Sequence, residues 1–466
     1  MKKATTILLA LCATAATATA QTGGISPEML AQLQKNEAQQ TANKALFNAI
    51  ASNKIDDLAT NFANQGEIDS HFSVETPAQS IHNQKSSGRC WMFSGLNVLR
   101  SKFALQHQDT LAVEFSHDYL FFYDQLEKAN LMLQGCIDTA KKPIDDATVR
   151  FLFRSPIGDG GTFCGVSDLA SKYGLVPKGV QPETYSAENT SRMSRIVASK
   201  LREYGLELRR MAAAGKSKSA LAQRKTEQLA TIYHILSLTL GEPVKQFTYA
   251  FRNKDGKTVG QPQTYTPQEF YKATVGEPLG GTFIMVMNDP RHDYHKTYEV
   301  EYDRHTYDGQ NWKYLNLPMD EIEQLAIASL KDGRKMYSSY DVGKQLDRKR
   351  GYLATDNYDY GTLFSTTFPM NKADRIATFE SGSTHAMTLT AVDLDENGKA
   401  LKWKVENSWG TDSGQKGCII MTDEWFREYM FRLVVDKKYA SDDILKQFNQ
   451  KPTMLTPDDP LFAEDE

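Results

Sequence analysis

Asn83-Gln-Lys-Ser-Ser-Gly-Arg-Cys-Trp91 runs directly into Met92-Phe-Ser-Gly-Leu-Asn-Val-Leu-Arg-Ser-Lys-Phe-Ala-Leu105. In the second stretch Phe93, Leu96, Leu99 and Phe103 stand at i, i+3, i+6 and i+10, the spacing of a buried helix face. Cys90 therefore opens a helix, where free N–H groups and the helix dipole favour a thiolate. Acyl transfer needs such a nucleophile. A free cysteine is otherwise most often a small buried hydrophobe, so residues elsewhere must decide between the two readings.

A thiol needs a base, and the base needs an orienting group. Among nine histidines, His385 lies in Ser383-Thr-His-Ala-Met-Thr-Leu-Thr-Ala-Val392, whose alternation places His385, Met387, Leu389 and Ala391 on one strand face. Asp393 to Lys399 reads as a hairpin-type turn. The return segment Leu401-Lys-Trp-Lys-Val-Glu-Asn407 alternates too, with Leu401, Trp403, Val405 and Asn407 on a shared face. His385 and Asn407 are thus expected as inward residues on paired strands. Direct opposition requires a loop centred on residue 396. A two-residue Asn397-Gly398 turn would pair Asn407 with Thr388, about 10 Å along the strand, so a longer loop or a bulge is predicted.

Gln84, Gly88 and Trp91 around Cys90 resemble the nucleophile segment of papain-like cysteine peptidases, and NQKSSGRCW as a whole is similar to the bleomycin hydrolase and aminopeptidase C branch. In that family the Gln84 side chain and the Cys90 N–H form the oxyanion hole. Val405-Glu-Asn-Ser-Trp-Gly410 resembles the asparagine segment, in which Asn407 orients the imidazole and Trp409 shields it from water. Arg89 stands where papain has a small residue, and Ser87 where it has a disulfide-bonded cysteine. Segments 173–193, 341–353, 383–392 and 416–431 also resemble this branch, so the likeness runs from about residue 60 to the C-terminus. Asp159-Gly-Gly161 is similar to the family as well, with Thr162-Phe163 replacing Gln-Trp.

The resemblance implies an α+β, two-lobed papain-like fold with a helical lobe and a β-barrel-like lobe. Papain-like enzymes place the histidine about 130–150 residues after the cysteine. Here 295 residues separate them, so a large insertion is expected, coinciding with the helical region near 190–240 and part of the chain after it. The expected organisation is a signal peptide over 1–20, an N-terminal helical arm over 21–62, the lobe carrying Cys90 over 63–190 and a helical and mixed insertion over 191–330. The β lobe carrying His385 and Asn407 then spans 331–450, and a C-terminal arm 451–466. By resemblance this arm runs into the upstream side of the cleft, where Glu466 meets the free α-amine of a peptide substrate. That implies an aminopeptidase, and the family further implies a homohexamer whose active sites face an inner cavity. No cofactor or metal is implied.

Composition sets the outer limits. The 466 residues are 40% hydrophobic and 24% charged, with a net charge of −4. This is a globular composition without pull toward a phosphate backbone, so nucleic acid is not an expected partner. Lys2 and Lys3, an apolar run from Ile7 to Ala18 and Ala18-Thr19-Ala20 read as a signal for export, cleaved after Ala20, to the periplasm or beyond. The run is too short for a membrane anchor. In an exported chain a Cys136–Cys164 disulfide is open. His292, His295 and His305 are read as surface histidines rather than metal ligands. An endopeptidase or amide hydrolase with an open cleft, and a silent binding protein of the same fold, are the rival functions.

Overall fold

A computed structural model describes residues 23–39, 44–108, 110–253, 255–276 and 278–462; the expected signal peptide and Glu466 lie outside them. The chain divides into two units, Met1–Thr60 and Asn61–Glu466. In the first, helices span Pro27–Gln39, Lys44–Ser52 and Ile55–Ala59. The first begins where Ser26-Pro27 suggests: Ser26 Oγ accepts the Met29 N–H at 3.1 Å, and proline fits the opening turn because its missing N–H would have no partner there. Its stripe of Met29, Leu30 and Leu33 is exposed.

In the second unit the nucleophile helix, Cys90–Gln106, is buried on nearly all sides, and Phe93, Leu96, Leu99 and Phe103 are among its most enclosed residues. It packs with Phe163–Tyr173, which in turn lies against His117–Asp138. Two further helices, Ser191–Ala213 and Lys218–Leu240, join through Gly215, whose φ of +73° lies in the region glycine adopts without steric cost. Ser217 Oγ caps the second by accepting the Ala220 N–H.

Among the described residues one sheet holds 12 strands. From one edge these are Thr453–Leu455, Lys296–Val300, Lys313–Asn316, Phe283–Met287, Met430–Asp436, Met336–Tyr340, His385–Leu394, Ala400–Glu406, Cys418–Thr422, Tyr352–Leu353 and Leu346–Asp347, with Val74–Glu75 added beside His385–Leu394. The chain between the helical pair and His385 therefore also extends the sheet that carries His385. No helix among the described residues is long and apolar enough to cross a membrane.

The nucleophile helix is fixed to the strands of the site by buried polar bonds. Asn97 Nδ2 donates to Glu406 Oε1 at 3.1 Å and to Thr388 Oγ1 at 3.3 Å. Arg100 and Lys335 each donate to Glu406, at 2.7 and 2.9 Å. Removing one partner would leave a buried charge uncompensated, so this cluster specifies how helix and sheet meet.

Three expectations are corrected. The hairpin has the bulge and the longer loop, yet its register places Thr388 opposite Glu406, so His385 and Asn407 are offset rather than opposed. The register shift between Leu389 and Ala391 also moves Ala391 off the face shared by Met387 and Leu389, and Leu401 is exposed. On the disulfide that the sequence leaves open, Cys136 and Cys164 are both free: Cys136 packs against Met132 and Gly205, and Cys164 pairs with Thr162 Oγ1. His305 is not on the surface but 2% exposed, enclosed by Asp124, Trp91 and two glycines.

Candidate active site

Cys90 is the first residue of its helix. The turn before it is held by Asp159, whose carboxylate accepts the Gly88 N–H at 2.6 Å and the Thr190 hydroxyl, while its carbonyl accepts Trp91 Nε1–H at 2.8 Å. A Cβ at position 88 would lie 2.4 Å from Asp159 Oδ1, so this turn requires glycine. Arg89 points away into the core, paired with Glu183 at 2.8 Å and lying over the Phe93 and Phe121 rings. The large residue in a position that is small in papain thus does not narrow the cleft. The Cys90 sulfur accepts the N–H of Ala386 at 3.4 Å, which places it beside the start of the histidine strand.

Asn407 follows the return strand and bridges the offset with its side chain. Its Oδ1 lies 2.8 Å from His385 Nε2 and accepts the Ser408 N–H at 2.8 Å. A backbone N–H only donates, which identifies this atom as the amide oxygen; His385 Nε2 must then carry the proton. Nδ1 is left with its lone pair, the acceptor a thiol proton needs. The Trp409 ring covers the pair, 4.9 Å from the imidazole, and the Arg348 guanidinium stacks on it at 4.6 Å.

Gln84 reaches the same place from the other side. Its N–H donates to the Ser408 carbonyl at 2.8 Å, its Oε1 accepts the Ser408 hydroxyl at 2.5 Å and its Nε2 donates to the Ser87 carbonyl. An amide nitrogen has two hydrogens, so one remains for a developing oxyanion. The Gly410 N–H donates to the His82 carbonyl at 3.0 Å, completing the join between the two segments.

Burial disfavours each charge formed alone. It pushes the Cys90 thiol up to about 11; N–H groups of Ala386 and Trp91 oppose this, and the Asp159 carboxylate adds to it. It pushes the His385 imidazole down to about 4, opposed by the Asn407 bond and reinforced by Arg348. Transfer of the thiol proton to Nδ1 creates both charges together, and their attraction offsets what burial costs each. A thiolate here would therefore have to form together with the imidazolium.

A cavity of about 540 Å³ is lined by Gly158, Gly160, Gly161, Ser381 and Gly382 and, from the C-terminal arm, by Pro457, Pro460 and Phe462. The arm is tied down by Arg291, which pairs with Asp459 at 3.0 Å, and by Arg432, which donates to the Leu461 carbonyl at 2.6 Å. Phe462 lies 5.5 Å from the Phe151 ring. The expected partner of the substrate amine, Glu466, falls outside the described residues. Sequence reasoning gave no role to Ser408, Arg348 or Asp159, although each lies in a stretch that resembles the family: Val405–Gly410, 341–353 and Asp159-Gly-Gly161.

The profile of the Peptidase C1-like family matches residues 24–462. An aminopeptidase C from Lactobacillus delbrueckii subsp. lactis is 38% identical over 445 residues, covering 94% of this chain and 98% of the relative. Human bleomycin hydrolase is 40% identical over 400 residues, covering 84% and 87%. The crystal structure of PepW from Lactobacillus rhamnosis HN001 superimposes with a TM-score of 0.88 at 37% identity, covering 94% of this chain and 99% of that one.

Proposed function

The chain belongs to the Peptidase C1-like family, and from that footing we propose that it is a cysteine aminopeptidase that removes residues from the free N-termini of peptides. The observation that carries this is the constellation itself: a helix-opening Cys90, His385 with Nδ1 free, Asn407 on Nε2 and Gln84 beside them. Cys90 Sγ attacks the scissile carbonyl carbon as its proton passes to His385 Nδ1. The Gln84 Nε2–H and the Cys90 N–H receive the oxyanion. His385 then gives the proton to the departing amine, leaving a thioester, and next takes a proton from the water that hydrolyses it.

Restriction to a free amine is assigned to the C-terminal arm: Pro457, Pro460 and Phe462 line a cavity together with Gly160 and Gly161, and the role expected of the Glu466 side chain is to pair with the amine. The pattern of residues 1–20 supports action outside the cytoplasm, and kinship with bleomycin hydrolases supports a hexamer. The test compares an aminoacyl fluorogenic amide with its N-acetylated twin under thiol reductant, with Cys90→Ser as control. Cleavage of the free-amine substrate alone is expected. Equal cleavage of the blocked twin would mean an endopeptidase, and activity surviving in Cys90→Ser would overturn the mechanism.

A further inference from the structure

His305 takes no part in acyl transfer, yet it lies at the back of the site. It is 2% exposed, and its ring sits 4.5 Å from that of Trp91, the residue after the nucleophile. Nδ1 is 2.5 Å from Asp124 Oδ1, and Nε2 is 3.2 Å from the backbone nitrogen of Thr162. The Thr162 N–H only donates, so Nε2 must be the bare nitrogen and Nδ1 must carry the proton to Asp124. The ring is held as one neutral tautomer bridging a helix and a loop.

That loop runs from Gly158 to Thr162 and holds the turn before Cys90 through Asp159. Its other holds come from the same helix as Asp124: Gln125 donates to the Gly158 carbonyl at 2.9 Å, and Lys128 donates to the Gly158 and Gly160 carbonyls at 3.1 and 2.5 Å. Side chains at 161 and 165 are excluded by the imidazole, since a Cβ at either glycine would lie within 2.5 Å of it. Gly158, Gly160 and Gly161 form part of the wall of the 540 Å³ cavity.

We propose that His305, oriented by Asp124, is a positioning residue that holds this wall in place and thereby sets how tightly the cleft grips its substrate. The proposal rests on the peptidase reading. It touches KM rather than kcat, because the wall's other end is fixed to the nucleophile turn independently, through Asp159.

Proton uptake at Nε2 would set two N–H donors against each other and release Thr162. The charged groups acting on the ring are Asp124 and Lys128, both from the helix His117–Asp138. Burial and Lys128 keep the imidazole below its ordinary range, and Asp124 opposes them. The grip should therefore fail only at acidic pH.

The test uses the full chain. His305→Leu should raise KM about tenfold, the cost of one buried hydrogen bond, with kcat within about threefold, and should speed amide exchange over residues 158–163. His305→Gln, which can donate to Asp124 and accept from Thr162, should return KM to near wild type. Asp124→Asn removes the charge that favours protonation, so the acid-side rise in KM should move to lower pH. An unchanged KM in folded His305→Leu, a loss confined to kcat, or no rescue by glutamine would overturn the proposal. If His305→Leu does not fold, an unmoved KM profile in Asp124→Asn does so. A wild-type chain without peptidase activity would instead sink the functional reading, and exchange at 158–163 would still judge the clamp.

Discussion

Gln84 and Ser408 hold each other twice, once through the Gln84 N–H on the Ser408 carbonyl and once through the Ser408 hydroxyl on Gln84 Oε1. Ser408 also donates its own N–H to Asn407. The group placed to receive the oxyanion and the group that orients the base are therefore parts of one piece, joined by a serine that touches neither the thiol nor the imidazole.

Ser408→Ala should leave Gln84 Oε1 without its donor and let the amide turn. Loss of about 1.4 kcal/mol of transition-state stabilisation is expected, a roughly tenfold fall in kcat. The alkylation rate of Cys90 should stay within about twofold, since the thiol and its base are untouched. Steady-state kinetics beside iodoacetamide labelling separate the two effects; a parallel loss of labelling would contradict this.

Arg348 stacks on Trp409 and its charge disfavours protonation of His385. Removing that charge in Arg348→Met raises the imidazole pKa. Since the protonated imidazole cannot accept from the thiol, the acid limb of kcat/KM should move to higher pH in the variant. The alkaline limb should stay where it is. A pH profile of both proteins between 3 and 10 checks the sign.

Deletion of residues 461–466 removes Leu461, Phe462 and the acidic end of the arm. If the arm excludes blocked substrates, the truncated chain should cleave the N-acetylated amide that the full chain leaves intact. Hydrolysis of internal bonds in a long peptide, followed by mass spectrometry, provides the second readout. Unchanged selectivity would remove the arm from the account of specificity.

Lys372 is buried with its ammonium donating to the carbonyls of Arg427 and Met430. Burial pushes it down to about 7, from an ordinary value of 10.5. Between those two values the unfolded chain binds a proton that the folded chain does not, so stability rises with pH across that window. Lys372→Met should lack this rise. Urea midpoints at pH 7, 8.5 and 10 give the slopes to be compared.

The nucleophile helix and the His–Asn hairpin were legible because they depend on local periodicity and on residue types the chemistry demands. Cys90, with four apolar residues spaced behind it, could be read from 14 consecutive letters (90–103). The bulge at Thr390 was legible only as a need, since the sequence shows that some irregularity must exist but not where backbone bonds will break register. His305 was misread for a different reason. Its partners Asp124 and Thr162 lie 181 and 143 residues away, and pairing at that distance leaves no mark on the neighbouring sequence. Arg89, which departs from papain in the sequence, is accommodated by a pairing of the same long-range kind, with Glu183.

The strand Thr453–Leu455 closes the far edge of the sheet that also contains His385, pairing with Lys296–Val300. From Leu455 to Leu461 the chain spans at most about 20 Å when fully extended. Arg291 and Arg432 re-anchor it on the way, at Asp459 and Leu461. Such a segment behaves as a ruler: its zero mark is a hydrogen-bonded strand, and its graduations are the residues at which it is tied down. Inserting a single residue between Leu455 and Asp459 would then shift every later mark, whatever letters the segment carries.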